Sequence, residues 1–88
     1  MKYWDEWEEV EVSDVMEGNR VVGRLFEIRV WRYDGKLGSS EFVGGIYVDV
    51  LGDSVWLKSR REVMEVCGML RRSGLKIERG VDVWIERR

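Results

Sequence analysis

Histidine and proline are absent from this chain of 88 residues, and its single cysteine is Cys67. One cysteine cannot form an internal disulfide and is typical of a reducing compartment, so we expect a cytoplasmic protein. The zinc, haem and triad sites of most enzymes need histidine or several thiols, which this chain does not provide. We therefore expect a protein that is not an enzyme and that needs neither a metal nor a cofactor.

Long apolar segments and glycine-rich phosphate motifs are also missing. No stretch approaches the roughly 18 apolar residues of a membrane-spanning helix, and the acidic start is unlike a secretory signal peptide. Without a phosphate-binding loop we expect no small-molecule substrate, and without a span no membrane association. The length fits one domain, residues 1–88, in which 1–7 form an N-terminal arm or helical turn and 8–88 form the body.

Charge is distributed unevenly along the chain, although the formal net charge is only −2. Residues 1–17 hold seven acidic residues against Lys2, whereas residues 18–88 hold fourteen basic and ten acidic residues. We interpret this pattern as a mildly basic body that follows an acidic segment. The arginine, glutamate and valine content, together with the lack of proline, is similar to that of thermophile proteins.

The segment 46–58 predicts the hairpin around which the sheet is built. Gly52-Asp53 is a two-residue turn signal, because glycine readily adopts the positive φ that a tight primed turn requires. Such a turn would place Tyr47 opposite Lys58. One face of the hairpin would then be apolar, and the other would carry Tyr47, Trp56 and Lys58.

Alternation of apolar and polar residues predicts the other strands. They begin at Glu8 and continue at 21–33, 41–51, 54–58 and 75–86. In strand 21–33 the even positions 22, 26, 28 and 30 are apolar, so we assign them to the core and the odd positions to the opposite face. In strand 75–86 we assign the odd positions to the core. Its partner is left open: the first strand, the fourth strand or a second chain.

Two irregularities are predicted within these strands. A tight turn at Gly18-Asn19 would place Val12 opposite Leu25. Leu25 is at an odd position of its strand, whereas the positions assigned to the core are even. We therefore expect a bulge or a three-residue loop between the first two strands. The pair Gly44-Gly45 predicts a bend or bulge in the third strand, or a place where another backbone approaches.

A helix is predicted directly after the fourth strand. Ser59 and Glu62 have the spacing of a capping box, in which both side chains accept hydrogen bonds from free backbone amides. Gly74 suits the position that follows a helix. The apolar residues after the cap share one helix face: Val63, Val66, Cys67 and Leu70. The predicted fold is α+β, an antiparallel four- to five-stranded meander with one amphipathic helix on one face, in the order β-β-β-β-α-β.

An aromatic and basic surface is predicted on the sheet face away from the helix. Each of the last four strands contributes an outward aromatic residue to it. Bases of unpaired nucleic acid stack on such rings, and neighbouring cations follow the phosphates. The predicted nucleic-acid-binding residues are Arg29, Trp31, Tyr33, Tyr47, Trp56, Lys58, Lys76 and Trp84.

The order of elements resembles the β-β-β-β-α unit of single-stranded DNA-binding transcription cofactors (positive cofactor four) and of Whirly and PUR-type proteins. The resemblance covers roughly residues 20–73 and is closest at G-G-I-Y-V-D-V and V-W-L-K-S-R-R-E-V-M-E-V-C-G-M-L. The small single-stranded DNA-binding proteins of hyperthermophilic archaea are similar in type. The chain departs from the family in its strand after the helix and its acidic N-terminal segment.

This resemblance implies a function and an assembly. In that family the sheet face opposite the helix binds single strands, and the helix helps to form a dimer. It implies contacts to nucleic acid from six residues: Arg29, Trp31, Tyr33, Tyr47, Trp56 and Lys58. We therefore expect a homodimeric module that binds single-stranded DNA or RNA with low sequence specificity. The alternative is a protein–protein interaction module or structural homo-oligomer whose aromatic sheet face is a subunit interface.

Overall fold

The computed structural model describes residues 5–87, with the backbone alone at Arg87. Within this range it contains β1 (Asp5–Glu17), β2 (Arg20–Tyr33), β3 (Gly38–Asp49), β4 (Ser54–Leu57), α1 (Arg60–Arg72), β5 (Lys76–Arg79) and β6 (Val83–Arg87). The strands form one antiparallel sheet in the order β4-β3-β2-β1-β5, and β6 also pairs with β1. The predicted α+β fold, an antiparallel sheet with one helix, is confirmed.

The long hairpin of β1 and β2 contains the predicted bulge. The register shifts between Val15 and Met16, and this shift places Val12 opposite Phe26. β1 already begins at Asp5, so residues 5–7 of the predicted arm are part of the sheet. Residues 1–4 of that arm lie outside the described residues.

The hairpin of β3 and β4 has a different register from the predicted one. Tyr47 pairs with Val55 and not with Lys58. The Asp49 carboxylate accepts hydrogen bonds from two backbone N–H groups of the connection, which stabilises a loop longer than two residues. Because the register changes by an odd number of positions, Trp56 lies on the opposite face of the sheet from Tyr47.

Helix α1 begins and ends as predicted. The backbone N–H of Glu62 donates to Ser59 Oγ at 3.2 Å, and the Glu62 carboxylate accepts from the N–H of Lys58. At the other end Gly74 has a φ of 84°, and its N–H donates to the carbonyl of Arg71. No helix among residues 5–87 has the length and apolar character needed to cross a membrane.

The core lies between α1 and one face of the sheet. Its buried centre consists of Leu25, Leu57 and Val63, and the residues packed around it are Phe42, Tyr47, Val66 and Cys67. A side chain at Gly45 would place its Cβ 2.9 Å from the backbone oxygen of Phe26, so glycine is needed for this close packing. Leu25 shows that the odd positions of β2 from Gly23 onward lie on the helix side of the sheet. The assignment of positions 26, 28 and 30 to the helix side was wrong, and Val22 is the unpaired residue of the bulge.

The predicted strand 75–86 is two strands, and both pair with β1. Ile77 pairs with Val15 in β5, and Trp84 pairs with Glu9 in β6. At the start of the connection between them, the backbone N–H of Gly80 donates a hydrogen bond to the carbonyl of Val12. Odd positions point to the helix side in β5, whereas even positions do so in β6. Ile77 therefore shares a face with the core, whereas the odd positions of β6 lie on the other face. The assignment of all odd positions to one core was wrong.

Candidate functional site

Register pairs sort the side chains onto two faces of the sheet, because residues directly opposite on neighbouring strands point to the same side. We call the side that carries α1 and Leu25 the helix face, and the side that carries Phe26 the open face. The helix covers one end of the helix face. On the open face, no helix or second sheet packs against residues 5–87.

Four aromatic residues lie on the helix face beyond the end of α1. We call them the ring cluster: Trp7, Trp31, Tyr33 and Trp84. Trp7 pairs with Trp31, and the Trp31 and Trp84 ring centroids lie 6.3 Å apart at an interplanar angle of 40°. Trp84 is 53% exposed and Tyr33 47% exposed. The cluster is thus an accessible group of rings.

A buried carboxylate holds the central ring of this cluster. Glu9 is only 5% exposed, and its Oε1 accepts a hydrogen bond of 2.9 Å from the indole Nε1 of Trp31. Arg29 lies directly opposite Glu9 on β2. The hydrogen bond fixes the orientation of the Trp31 ring, which is half-buried beside Trp84.

A group of carboxylates lies between the ring cluster and α1. Oxygens of Glu9, Glu11 and Asp82 lie within 4.8 Å of one another, which is the spacing of a cation site. Arg79 already binds two of them, Asp82 at 2.9 Å and Glu11 at 3.4 Å. No donor in the described part of the chain reaches the buried Oδ1 of Asp82. The group is therefore an acidic cluster neutralised in part by an arginine.

Glu27 extends this acidic group toward the helix. It lies directly opposite Glu11. Burial raises the pKa of Glu27, as do a hydrogen bond and the charge of Glu11, while Arg60 and Arg29 lower it to a smaller extent. The helix face is consequently acidic beside its rings.

The open face is apolar in its centre and charged at its ends. Its apolar side chains are Val10, Val12, Phe26, Ile28, Val30, Ile46, Trp56, Val83 and Ile85. Glu8 lies among them, between Val30 and Ile85, and Val30 is buried, with 5% exposure. Trp56 is 66% exposed, and Ile85 is 49% exposed. At one end Arg24 pairs with Asp14 at 3.1 Å. At the other end Arg32 pairs with Glu6 at 3.3 Å and with Glu41 at 3.5 Å.

A shallow hollow lies at the Arg24 end of the open face. Its volume is about 370 Å³. The residues that line it are Val21, Gly23, Arg24, Phe26, Val48, Asp49 and Val50. The hollow gives this apolar surface a shape into which a protruding side chain can fit.

The eight predicted nucleic-acid-binding residues do not form one surface. Five of them lie on the helix face: Arg29, Trp31, Tyr33 and Trp84 beyond α1, and Tyr47 packed against the core. Two lie on the open face, Trp56 and Lys76. The last, Lys58, is exposed just before the helix. The expectation that the rings share the face away from the helix was wrong. The β3–β4 loop places Trp56 on the opposite face from Tyr47, and the β5–β6 connection places Lys76 on the opposite face from Trp84.

Sequence reasoning missed Trp7 of the ring cluster and Glu9, which holds the Trp31 ring. Trp7 lies in the predicted N-terminal arm, and Glu9 lies in the acidic segment. The alternation of Val10 and Val12 does not extend to Trp7, which has the opposite parity, so no periodic signal marked this ring. Comparison with protein-family models, with curated proteins and with solved structures finds no match to this chain.

Proposed function

We propose that this chain is a non-catalytic interaction protein that forms a homodimer through its open face. The observation that carries the proposal is an apolar surface, interrupted by Glu8, on which no helix or second sheet of residues 5–87 packs. Large exposed apolar patches on small proteins mark interaction sites. Two sheets can pack face to face about 10 Å apart, with their helices on the outside.

The size of the exposed surface supports a second copy as the partner. The chain exposes 6724 Å², whereas a folded monomer of 10.4 kDa exposes about 5,400 Å². The excess of about 1,300 Å² is larger than the roughly 800 Å² that each partner buries in a standard interface. The radius of gyration is 15.2 Å, compared with about 12 Å for a compact chain of this length.

The charges on the open face also suit a self-complementary contact. Each of the arginines at its two ends, Arg24 and Arg32, is paired with a carboxylate of the same face. Each of these arginines can therefore enter a twofold contact with its charge already balanced. The same pairing reduces the attraction of this face for phosphate groups.

The dimer is tested by measuring molar mass with sedimentation equilibrium over a range of protein concentrations. We expect twice the chain mass for the wild type and the monomer mass for Trp56→Lys and Ile85→Lys, which place a charge on the open face. Val55→Lys is the matched control, because Val55 is 53% exposed and adjacent to Trp56 but points to the helix face. Circular dichroism checks that each variant is folded.

Two results would contradict the homodimer. The first is a wild-type protein that stays monomeric at the highest concentrations. The second is a dimer that survives both open-face variants and dissociates with Val55→Lys, which would move the interface to the β4 edge or the helix face.

Single-stranded nucleic-acid binding is the second candidate function. It is favoured by the placement of Arg29 on the same face as the ring cluster. Titration with a short oligo-dT over a salt series tests it, and binding should weaken as salt rises. Loss of binding in Trp84→Ala with retention in Trp56→Ala would locate the strand on the helix face. Absence of binding at low salt would exclude this function.

A further inference from the structure

We infer that the ring cluster binds a cationic polypeptide segment, whose arginine or lysine side chains lie against the faces of the rings. This surface is on the helix face and is separate from the proposed dimer interface. The inference therefore does not depend on the homodimer. It concerns a second partner, which is identified by its positive charge.

The geometry of the rings suits a cation. Trp31 and Trp84 are tilted by 40° with centroids 6.3 Å apart, so they present two neighbouring π-faces. A guanidinium or ammonium within about 6 Å of a ring centroid is attracted by the negative face of the ring, most strongly for tryptophan. Trp7 adds a third indole beside Trp31 and is 39% exposed.

The charges around the rings favour the same ligand. Glu9 pairs with Trp84, Glu86 pairs with Trp7, and Asp5 pairs with Tyr33, so each row of the cluster contains a carboxylate. Glu11, Glu27 and Asp82 lie in the adjoining acidic group. The arginines near these carboxylates are Arg29, Arg60 and Arg79. Arg79 is already bound to two carboxylates, and Arg60 lies near Glu27.

Carboxylates therefore outnumber the available cations beside the rings. A site with this balance repels phosphate and attracts positive charge, in addition to the attraction from the ring faces. The single-stranded nucleic acid expected from the aromatic residues alone would have to overcome this repulsion. The ligand that fits both the rings and the carboxylates is cationic.

The shape of the site favours a polypeptide over a small cation. The cluster spreads over β6, β1 and β2, which is roughly 10 Å across the sheet. Three of its rings lie at the surface, with Trp7 39%, Tyr33 47% and Trp84 53% exposed. A single small cation would be poorly desolvated there, whereas a segment with several cations can contact several rings and carboxylates together.

The test is fluorescence anisotropy of a labelled hexa-arginine peptide titrated with the protein over a salt series. We expect saturable binding that weakens as salt rises. Trp84→Ala removes one ring without changing charge and should weaken binding by about threefold to tenfold. Trp56→Ala is the control, because Trp56 is 66% exposed but lies on the open face, and its binding should equal that of the wild type.

Charge is tested separately from the rings. Glu86→Lys reverses an exposed carboxylate beside Trp7 and should weaken hexa-arginine binding more than Glu86→Gln does. Labelled hexaglutamate and oligo-dT are the comparison ligands and should not bind. Binding of oligo-dT without binding of hexa-arginine would overturn the inference. So would hexa-arginine binding that is unchanged in Trp84→Ala, because it would come from charge alone.

Discussion

Leu25 and Phe26 are neighbours on β2, yet they have opposite surroundings. Leu25 is 3% exposed beneath α1, whereas Phe26 faces the side on which nothing packs in residues 5–87. The chain itself closes the part of the helix face beneath α1, whereas no helix or second sheet in residues 5–87 covers the open face. In the homodimer that we propose, one sheet obtains its stability from two sources, folding on one side and association on the other.

The first prediction compares these two neighbours and has the largest expected effect. Leu25→Ala should lower the free energy of unfolding by about 2–5 kcal/mol, because it leaves a cavity in a packed core. This loss should be the same at every protein concentration. Urea unfolding, followed by tryptophan fluorescence and circular dichroism, measures it.

Phe26→Ala should behave differently. Its cost should be small in dilute protein and should grow with concentration, because the phenyl ring contributes mainly to the contact between two copies. The wild-type midpoint should also rise with concentration, and Leu25→Ala should keep that dependence. Equal and concentration-independent costs for the two variants would show that the open face is not an interface.

The second prediction uses two adjacent glycines of β3 that face opposite sides. A Cβ at Gly45 would lie 2.9 Å from the backbone oxygen of Phe26, and also 3.5 Å from Val63 of the helix. Gly45→Ala should therefore cost about 1–3 kcal/mol through overpacking. At Gly44 the nearest atom would be the Leu57 backbone oxygen at 3.5 Å, an ordinary contact.

Gly44→Ala is thus the control for Gly45→Ala in thermal unfolding. We expect its melting temperature to stay close to that of the wild type in dilute protein, while that of Gly45→Ala falls by several degrees. A larger loss for Gly44→Ala would mean that the open face is the more tightly packed side of β3.

The parts of the fold that depend on local chemistry were predictable from the sequence. The cap at Ser59 and the spacing from Val63 to Leu70 predicted α1, because both features act within a few residues. The parity conflict at Val12 predicted the bulge between β1 and β2. Each of these inferences uses contacts between residues that are close in sequence or joined by one turn.

The choice of face was not predictable in the same way. β2 has apolar residues on both sides, so counting them favoured the even positions, whereas the helix packs on the side of Leu25. That side has space for the helix and for the Tyr47 ring because Gly45 and Gly23 lack side chains. Such space depends on how three strands align, and a pattern in one strand does not contain this information.

The candidate site suffered from the same limit. Trp31, Trp56 and Trp84 were predicted to point outward from the sheet. The charge beside the ring cluster comes from residues distant in sequence, such as Glu9 and Asp82, which only the pairing of β6 with β1 brings together. Composition gave a basic body for residues 18–88. The register instead surrounds the rings with carboxylates. The positive charge of the ligand that we infer therefore follows from the topology and not from the overall composition.

The third prediction has the smallest expected effect. It tests whether the burial of Glu27, which lies between α1 and the ring cluster, makes its charged form unfavourable in the folded chain. Burial and Glu11 raise the pKa of Glu27 above its ordinary 4.5, so the folded chain binds this proton more tightly than the unfolded chain does. The stability that this proton contributes is complete below pH 4.5 and is lost as pH rises through the folded pKa. Glu27→Gln should match the wild type in acid and exceed its unfolding free energy at neutral pH by about 0.5 kcal/mol. Urea unfolding midpoints at acidic and neutral pH measure this difference, and Glu65→Gln, at an exposed position, is the control. A Glu27→Gln variant with a lower free energy of unfolding than the wild type at neutral pH would show that the attraction of Arg60 and Arg29 outweighs the burial of the carboxylate.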